Sequence, residues 1–137
     1  MPEAGGRLRV VLAPSARHDI REALIWSKER FGQLAAERYR ELIKQALRDI
    51  VADPERPGAV DRKELARGVR TYHLFFSRER ARGPSGIVQK PRHFLVYRRR
   101  GENIIDVVRV LHDARDIERH LPEHYLSDPE RSGPGEI

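Results

Sequence analysis

The chain has 137 residues, of which 39% are hydrophobic and 35% are charged, and it contains no cysteine. A chain of this length is expected to form one domain, and without cysteine it has neither disulfides nor thiolate metal sites. No apolar run approaches the roughly 20 residues of a transmembrane helix, and the first residues lack the basic-then-apolar order of a secretory signal, so we expect a cytoplasmic protein.

The net charge of +6 is concentrated in one stretch of the chain. Residues 62–100 contain twelve lysines and arginines against two glutamates, a net charge of +10, so the rest of the chain is slightly acidic. Such a distribution predicts an acidic or polyanionic partner. The alternative is a solvated basic surface without a partner.

The N-terminal half predicts one strand and a pair of helices. Residues 7–12 alternate weakly between apolar and polar, as in a short strand. Ser15 is a favourable helix N-cap, and apolar residues at helical spacing follow it until Gly32, which ends the first helix. A second apolar stripe over residues 35–50 predicts a second helix that stops before Pro54. Because the link at Gly32 is tight, the two helices should form an antiparallel hairpin.

The C-terminal half predicts three strands. Residues 69–76, 93–99 and 104–111 are rich in β-branched and aromatic side chains. Residues 53–66 are polar and predict a surface loop. Residues 77–91 exceed the two to five residues usual for a hairpin connection, and we expect them to form a mobile, basic loop.

The last predicted strand is the most apolar one. Its run over residues 104–111 is apolar on both faces, except where Arg109 interrupts it, and therefore belongs inside a sheet. A short turn should join it to the preceding strand in a tight hairpin, and a short amphipathic helix should follow over residues 113–121. We assign residues 1–126 to one domain and residues 127–137, which are rich in proline and glycine, to a disordered tail.

These elements predict an α+β fold. An N-terminal strand precedes an antiparallel helical hairpin, which packs on an antiparallel sheet of three further strands, and a short C-terminal helix ends the domain. The three later strands should form a meander, whereas the pattern leaves the neighbour of the first strand open.

Four side chains of the predicted sheet could carry acid–base chemistry on RNA. Cleavage without a metal needs a base for the 2′-hydroxyl, a proton donor for the leaving oxygen and cations for the phosphate. His112 or His73 could act as base or acid, and Arg70 and Arg109 could hold the phosphate. The structural alternative has His112 end a strand and pairs Arg109 with a nearby carboxylate: Asp106, Asp113 or Asp116. We expect neither metal nor cofactor, because the histidines lack a metal-ligand spacing and no glycine-rich phosphate loop is present.

A set of motifs occurs in collinear order along most of the chain. The motifs are LAPSARHDI at 12–20, FG at 31–32, AxRYxxL at 36–42, DP at 53–54, GVR at 68–70, HFLVYR at 93–98 and IIDVVRVLHDARDIERHL at 104–121. In this order they resemble the RelE/ParE superfamily of bacterial toxins. The ending, in which a strand bearing RVLH runs into a helix bearing DIERHL, resembles the ParE branch.

The resemblance implies the toxin of a type II toxin–antitoxin system. Its implied partners are a ParD-like antitoxin with an acidic C-terminal tail and, as target, the A subunit of DNA gyrase; DNA would be contacted only through either of them. Candidate residues for contact with target or antitoxin are Trp26, Ile25, Arg70, Tyr97, Arg98, Arg109 and His112. The alternatives are a RelE-like ribosome-dependent mRNA endoribonuclease and a non-toxic member. Residues 77–91 and the long tail depart from the superfamily pattern.

Overall fold

The computed structural model describes residues 8–114. In chain order its elements are β1 (Arg9–Leu12), α1 (Pro14–Phe31), α2 (Gln33–Ala52), β2 (Ala59–Asp61), β3 (Val69–His73), a short 3-10 helix (Leu74–Ser77), β4 (His93–Arg100) and β5 (Ile104–His112). The α+β class and the helical hairpin are therefore confirmed. From residue 115 onward, the predicted C-terminal helix and the predicted tail lie outside the described residues.

The five strands form one mixed sheet in the order β1-β5-β4-β3-β2. The predicted meander of β3, β4 and β5 is antiparallel throughout, and β5 lies inside the sheet, as its apolar run predicts. The neighbour of β1, which the pattern left open, is β5, and this pair is parallel. The prediction of a loop over residues 53–66 was incomplete, because β2 forms an edge strand there. With only three residues, β2 is too short to show an alternating pattern.

The helical hairpin turns at Gly32, whose φ of 97° is accessible mainly to glycine. The prediction of Ser15 as the N-cap was wrong, because α1 begins one residue earlier at Pro14 and Ala13 is the cap. Proline suits the first helical position, since its fixed φ is already helical and it has no amide to leave unpaired. The Ser15 hydroxyl instead donates to the Val108 carbonyl of β5, at 2.8 Å.

The main core lies between the helical hairpin and one face of the sheet. The predicted stripe of α2 supplies Leu42, Ala46 and Ile50, each fully buried, and Tyr72 and Leu95 meet them from the sheet. Burial of each large aliphatic side chain contributes about 1.5–3 kcal/mol to folding. A smaller cluster on the opposite face is covered by the segment between β2 and β3 and contains Leu65, Ala66, Val69, Val96, Val108 and Leu111.

The strand predicted over residues 69–76 ends early, at His73. There the His73 Nδ1 atom accepts a hydrogen bond from the Phe75 amide, at 3.0 Å, and the chain turns into the 3-10 helix. Phe75 and Phe76 consequently point outward, with exposures of 46% and 50%.

The connection between β3 and β4 is held in place at several points, contrary to the predicted mobile loop. The Arg38 guanidinium of α2 donates to the Ser85 carbonyl at 2.8 Å, and Arg78 donates to the Gln89 carbonyl at 2.7 Å. Val88 packs against the main core. These contacts join residues far apart in sequence, so loop length and composition did not reveal them.

A buried carboxylate anchors the start of this connection to α2. Asp49 is 1% exposed and accepts hydrogen bonds from the Ser77 hydroxyl at 2.6 Å, from Gln45 at 2.9 Å and from Arg80 at 3.0 Å. Burial alone would raise the pKa of Asp49, but these donors outweigh it and hold the pKa below its usual value. The 3-10 helix is thereby fixed on the end of α2.

Candidate functional site

Two histidines lie side by side at one end of the sheet. His93 begins β4 and His112 ends β5, and the two residues are directly paired across the strands. Their ring centroids are 5.3 Å apart. Trp26 of α1 and Tyr39 of α2 pack against the His93 ring at centroid distances of 5.7 and 5.5 Å. We call these four residues the imidazole cluster.

The hydrogen bonds around His93 define its protonation state. The Tyr39 hydroxyl accepts from the Arg92 amide at 2.9 Å, so its own proton is directed to the His93 Nδ1 atom, 2.7 Å away. His93 is therefore neutral and carries its proton on Nε2. Burial and, after it, the neighbouring His112 lower the pKa of His93 to about 4, and burial raises the pKa of Tyr39 to about 12. Sequence reasoning missed both residues; the signal was Tyr39 on the apolar stripe of α2.

Asp113 joins His73 and His112 at the same end of the sheet. The carboxylate accepts hydrogen bonds from Arg92 at 3.0 and 3.1 Å and lies 3.1 Å from the His73 Nε2 atom and 3.6 Å from the His112 Nδ1 atom. Burial opposes ionisation, but the hydrogen bonds from Arg92 and His73 hold the pKa of Asp113 below its usual value. The His112 Nδ1 atom also accepts from the Ala114 amide, at 3.1 Å.

Arg109 forms a bidentate ion pair with Asp19 of α1. The Nε and Nη2 atoms of Arg109 donate to the two carboxylate oxygens at 2.7 and 2.9 Å, and the Val110 amide donates to the same carboxylate at 2.9 Å. The hydrogen bond from Asp19 raises the pKa of Arg109. Because β1 ends at Leu12, side chains of α1 take over the bonding of the exposed edge of β5 from there on.

The carboxylates predicted to pair with Arg109 are engaged elsewhere or undescribed. Asp106 accepts two hydrogen bonds from Arg100, Asp113 binds Arg92, and Asp116 lies outside the described residues. The partner that the sequence reasoning overlooked is Asp19, which lies on the buried face of α1 four residues before Ala23. A carboxylate on that face requires a partner, and this was the available signal.

A pocket of about 370 Å³ opens beside this ion pair. His112 and Arg109, two of the four residues predicted for RNA chemistry, line it together with His18, Glu22 and Trp26. The structure therefore brings part of the predicted set together.

The other two predicted residues lie elsewhere. Arg70 is paired across the strands with Tyr97, four positions along β4 from His93, which corresponds to roughly 13 Å of strand. The Arg70 guanidinium lies 3.8 Å from Glu55 and 3.9 Å from Asp61. His73 contacts Asp113 but lines a different pocket. The four residues therefore do not converge on one phosphate-sized site.

The residues predicted to contact target or antitoxin differ widely in accessibility. Ile25 is 51% exposed, and Trp26 and Arg98 are half-buried. Tyr97 is only 1% exposed, and its hydroxyl donates to the Pro54 carbonyl at 2.6 Å. The prediction of Tyr97 as a contact residue was wrong, since it is a core side chain.

Folding also reduces the concentration of positive charge that the sequence predicts. Five carboxylates from outside the basic stretch of residues 62–100 lie against its arginines. The pairs are Arg70–Glu55, Arg70–Asp61, Arg80–Asp49, Arg92–Asp113 and Arg100–Asp106. The net charge of this region in space is therefore well below its value along the chain.

Within residues 8–114, no three histidine, aspartate or glutamate side chains are grouped so that they could hold a metal ion. Neither α1 nor α2 combines the length and the apolar composition that a membrane-crossing helix needs.

Comparison with known proteins agrees with this fold. A family model described as ParE toxin of type II toxin-antitoxin system, parDE, matches residues 10–117. The chain is also similar to proteins named Toxin ParE1 from two strains of Mycobacterium tuberculosis, CDC 1551 / Oshkosh and ATCC 25618 / H37Rv. Each is 31% identical over 113 residues, which cover 82% of this chain and 97% of the relative. The chain therefore belongs to the ParE family of toxins from type II toxin–antitoxin systems.

Proposed function

We propose that this toxin acts in the cytoplasm by binding the A subunit of DNA gyrase, and that a ParD-like antitoxin with an acidic C-terminal tail neutralises it. The observation that carries this proposal is the division of the candidate RNA-cleaving residues between separate places. A protein that acts by binding needs no such assembly.

The engagement of Arg109 is the strongest part of this argument. A phosphate-binding arginine should present its guanidinium to the ligand, but two nitrogens of Arg109 are bonded to Asp19. Arg70 lies among carboxylates, near Glu55 and Asp61. An incoming phosphate would have to compete with a carboxylate at either arginine.

The acidic tail of the antitoxin is proposed from charge. The chain keeps a net charge of +6, and exposed cations outside the ion pairs described above include Lys63 and Lys90. Long-range attraction of this kind accelerates the encounter with an acidic segment. DNA would be met only through the antitoxin or gyrase.

A supercoiling assay with purified gyrase tests the target. Added toxin should inhibit supercoiling or trap cleaved DNA, and Ile25→Asp, which places a charge on the exposed face of α1, should weaken the effect. Phe75→Asp is the matched control, because Phe75 is similarly exposed (46% against 51%) but lies beyond β3. Full gyrase activity at excess wild-type toxin would exclude gyrase as the target.

A ribosome-dependent mRNA endoribonuclease is the second candidate, favoured by one observation. His112 and Arg109 line the same pocket, so an imidazole and a cation are both close to its contents. Mapping of mRNA ends after induction should then show cuts at defined codon positions that disappear in His112→Ala. His18→Ala, in the same pocket, is the control, and intact mRNA during growth arrest would exclude this activity.

A further inference from the structure

An apolar groove of about 360 Å³ lies between the helical hairpin and residues 87–90. Trp26, Phe31 and Ala35 form the wall on the hairpin side, and Ile87 and Val88 form the opposite wall. We call it the hairpin groove. It is separate from the pocket beside the Arg109–Asp19 pair, although Trp26 borders both.

The second wall is held by fixed contacts, although it belongs to a long connection. Arg38, at the bottom of the groove, donates to the Ser85 carbonyl at 2.8 Å, and the Gly83 and Gly86 amides and carbonyls bond to each other at 3.2 and 3.0 Å. A preformed groove binds more tightly than one that must be ordered first, because less conformational entropy is lost on binding.

Apolar surface continues out of the groove at the tip of the hairpin. Phe31 is 66% exposed and Leu34 is 56% exposed, the two highest exposures among the large apolar side chains of the described part of the chain. Folding gains little from a phenylalanine this exposed. Contiguous apolar surface of this kind marks interaction sites on soluble proteins.

The charge of the groove indicates the chemistry of its occupant. Lys90 and Arg38 line it, none of its described lining residues is acidic, and the Arg30 guanidinium lies 5.8 Å from the centroid of the Trp26 ring. An apolar site with a cationic rim is complementary to an apolar side chain flanked by carboxylates.

We propose that the hairpin groove receives an apolar anchor side chain from an acidic segment of the antitoxin. This inference rests on the proposed antitoxin partner and adds the place of contact. Because one wall comes from the long connection between β3 and β4, that connection also helps to select which antitoxin binds.

Titration calorimetry with the purified product of the reading frame adjacent to the toxin gene tests the groove. Phe31→Ser and Lys90→Glu should each weaken binding by about tenfold or more, as removal of a central interface contact does. The matched controls are Phe75→Ser and Lys63→Glu, which change an exposed phenylalanine and an exposed lysine outside the groove. Thermal unfolding of each variant confirms that it is folded.

The outcomes separate the groove from the antitoxin itself. If the wild-type toxin binds and both groove variants bind equally well, the groove is not the contact site and the inference fails, while the antitoxin pairing stands. If Phe31→Ser changes only the oligomeric state of the free toxin, the groove is an interface between copies and the inference also fails. If the wild-type toxin itself does not bind, the proposed antitoxin is wrong and the inference fails with it.

Discussion

Arg109 and Asp19 are ninety positions apart in sequence, yet they form a bidentate ion pair with distances of 2.7 and 2.9 Å. The pair fastens α1 to β5 at the point where β1 has ended, and the Val110 amide shares the same carboxylate. The arginine that interrupts the most apolar strand therefore has a structural role that is visible in its geometry.

The first prediction concerns the energetic coupling within this pair. Asp19→Asn keeps an oxygen for the Val110 amide but removes the charge, so it should lower the free energy of unfolding by about 2–3 kcal/mol. Arg109→Met should cost a similar amount, because it leaves the carboxylate without its counter-ion. The double variant should be more stable than the sum of the two losses predicts, with a coupling of about 1–3 kcal/mol. Urea unfolding measures all three, and strictly additive losses would refute the coupling.

The second prediction follows from the lowered pKa of His93. The folded protein keeps His93 neutral down to about pH 4, whereas the unfolded chain takes up the proton near the ordinary value of 6.5. Protons therefore favour the unfolded state in this window, and stability falls as the pH drops from about 6.5 to about 4. The full loss is on the order of 3 kcal/mol.

His93→Asn isolates this contribution, because asparagine can still accept from the Tyr39 hydroxyl but does not titrate. The difference in unfolding free energy between wild type and variant should shrink steadily from pH 7 to pH 4. The neighbouring His112 and Asp113 titrate in both proteins and largely cancel. Parallel stability curves would show that His93 is not protonated in this range.

The third prediction concerns the glycine that faces Phe76. Gly58 has a φ of 98°, and a Cβ atom there would lie 2.7 Å from the Cγ atom of Phe76. Gly86 has a φ of 112° with nothing within 4 Å of such an atom, so Gly86→Ala bears only the backbone strain of about 1–3 kcal/mol. Gly58→Ala should destabilise the protein by about 1 kcal/mol more. Adding Phe76→Ala to both proteins should remove that difference, and its persistence would point to another cause.

The fourth prediction separates a core role of Tyr97 from a contact role. Tyr97→Phe removes the hydrogen bond to the Pro54 carbonyl and should lower stability by about 1 kcal/mol. Antitoxin affinity and gyrase inhibition should stay within about twofold of wild type, because a side chain that is 1% exposed offers no contact surface. A large loss of affinity in a fully folded variant would contradict this assignment.

Local order was largely readable from the sequence. The stripe that includes Leu42, Ala46 and Ile50 predicted α2 and its buried face, because helical periodicity is carried by neighbours three and four positions apart. The apolar run of β5 likewise predicted a strand inside the sheet. The conflict at Arg109 indicated that a counter-ion or ligand had to exist, since an unpaired cation cannot remain in such a strand.

Only the tertiary structure decided which residues meet. It selected Asp19 as the counter-ion, placed β1 parallel to β5, ordered the connection that forms the hairpin groove and buried Tyr97. It also set distant carboxylates against the basic stretch, which lowered the local charge that the sequence suggested. Periodicity records the face on which a side chain lies, whereas the partner on that face depends on packing between segments that are distant along the chain, and no local pattern contains that information.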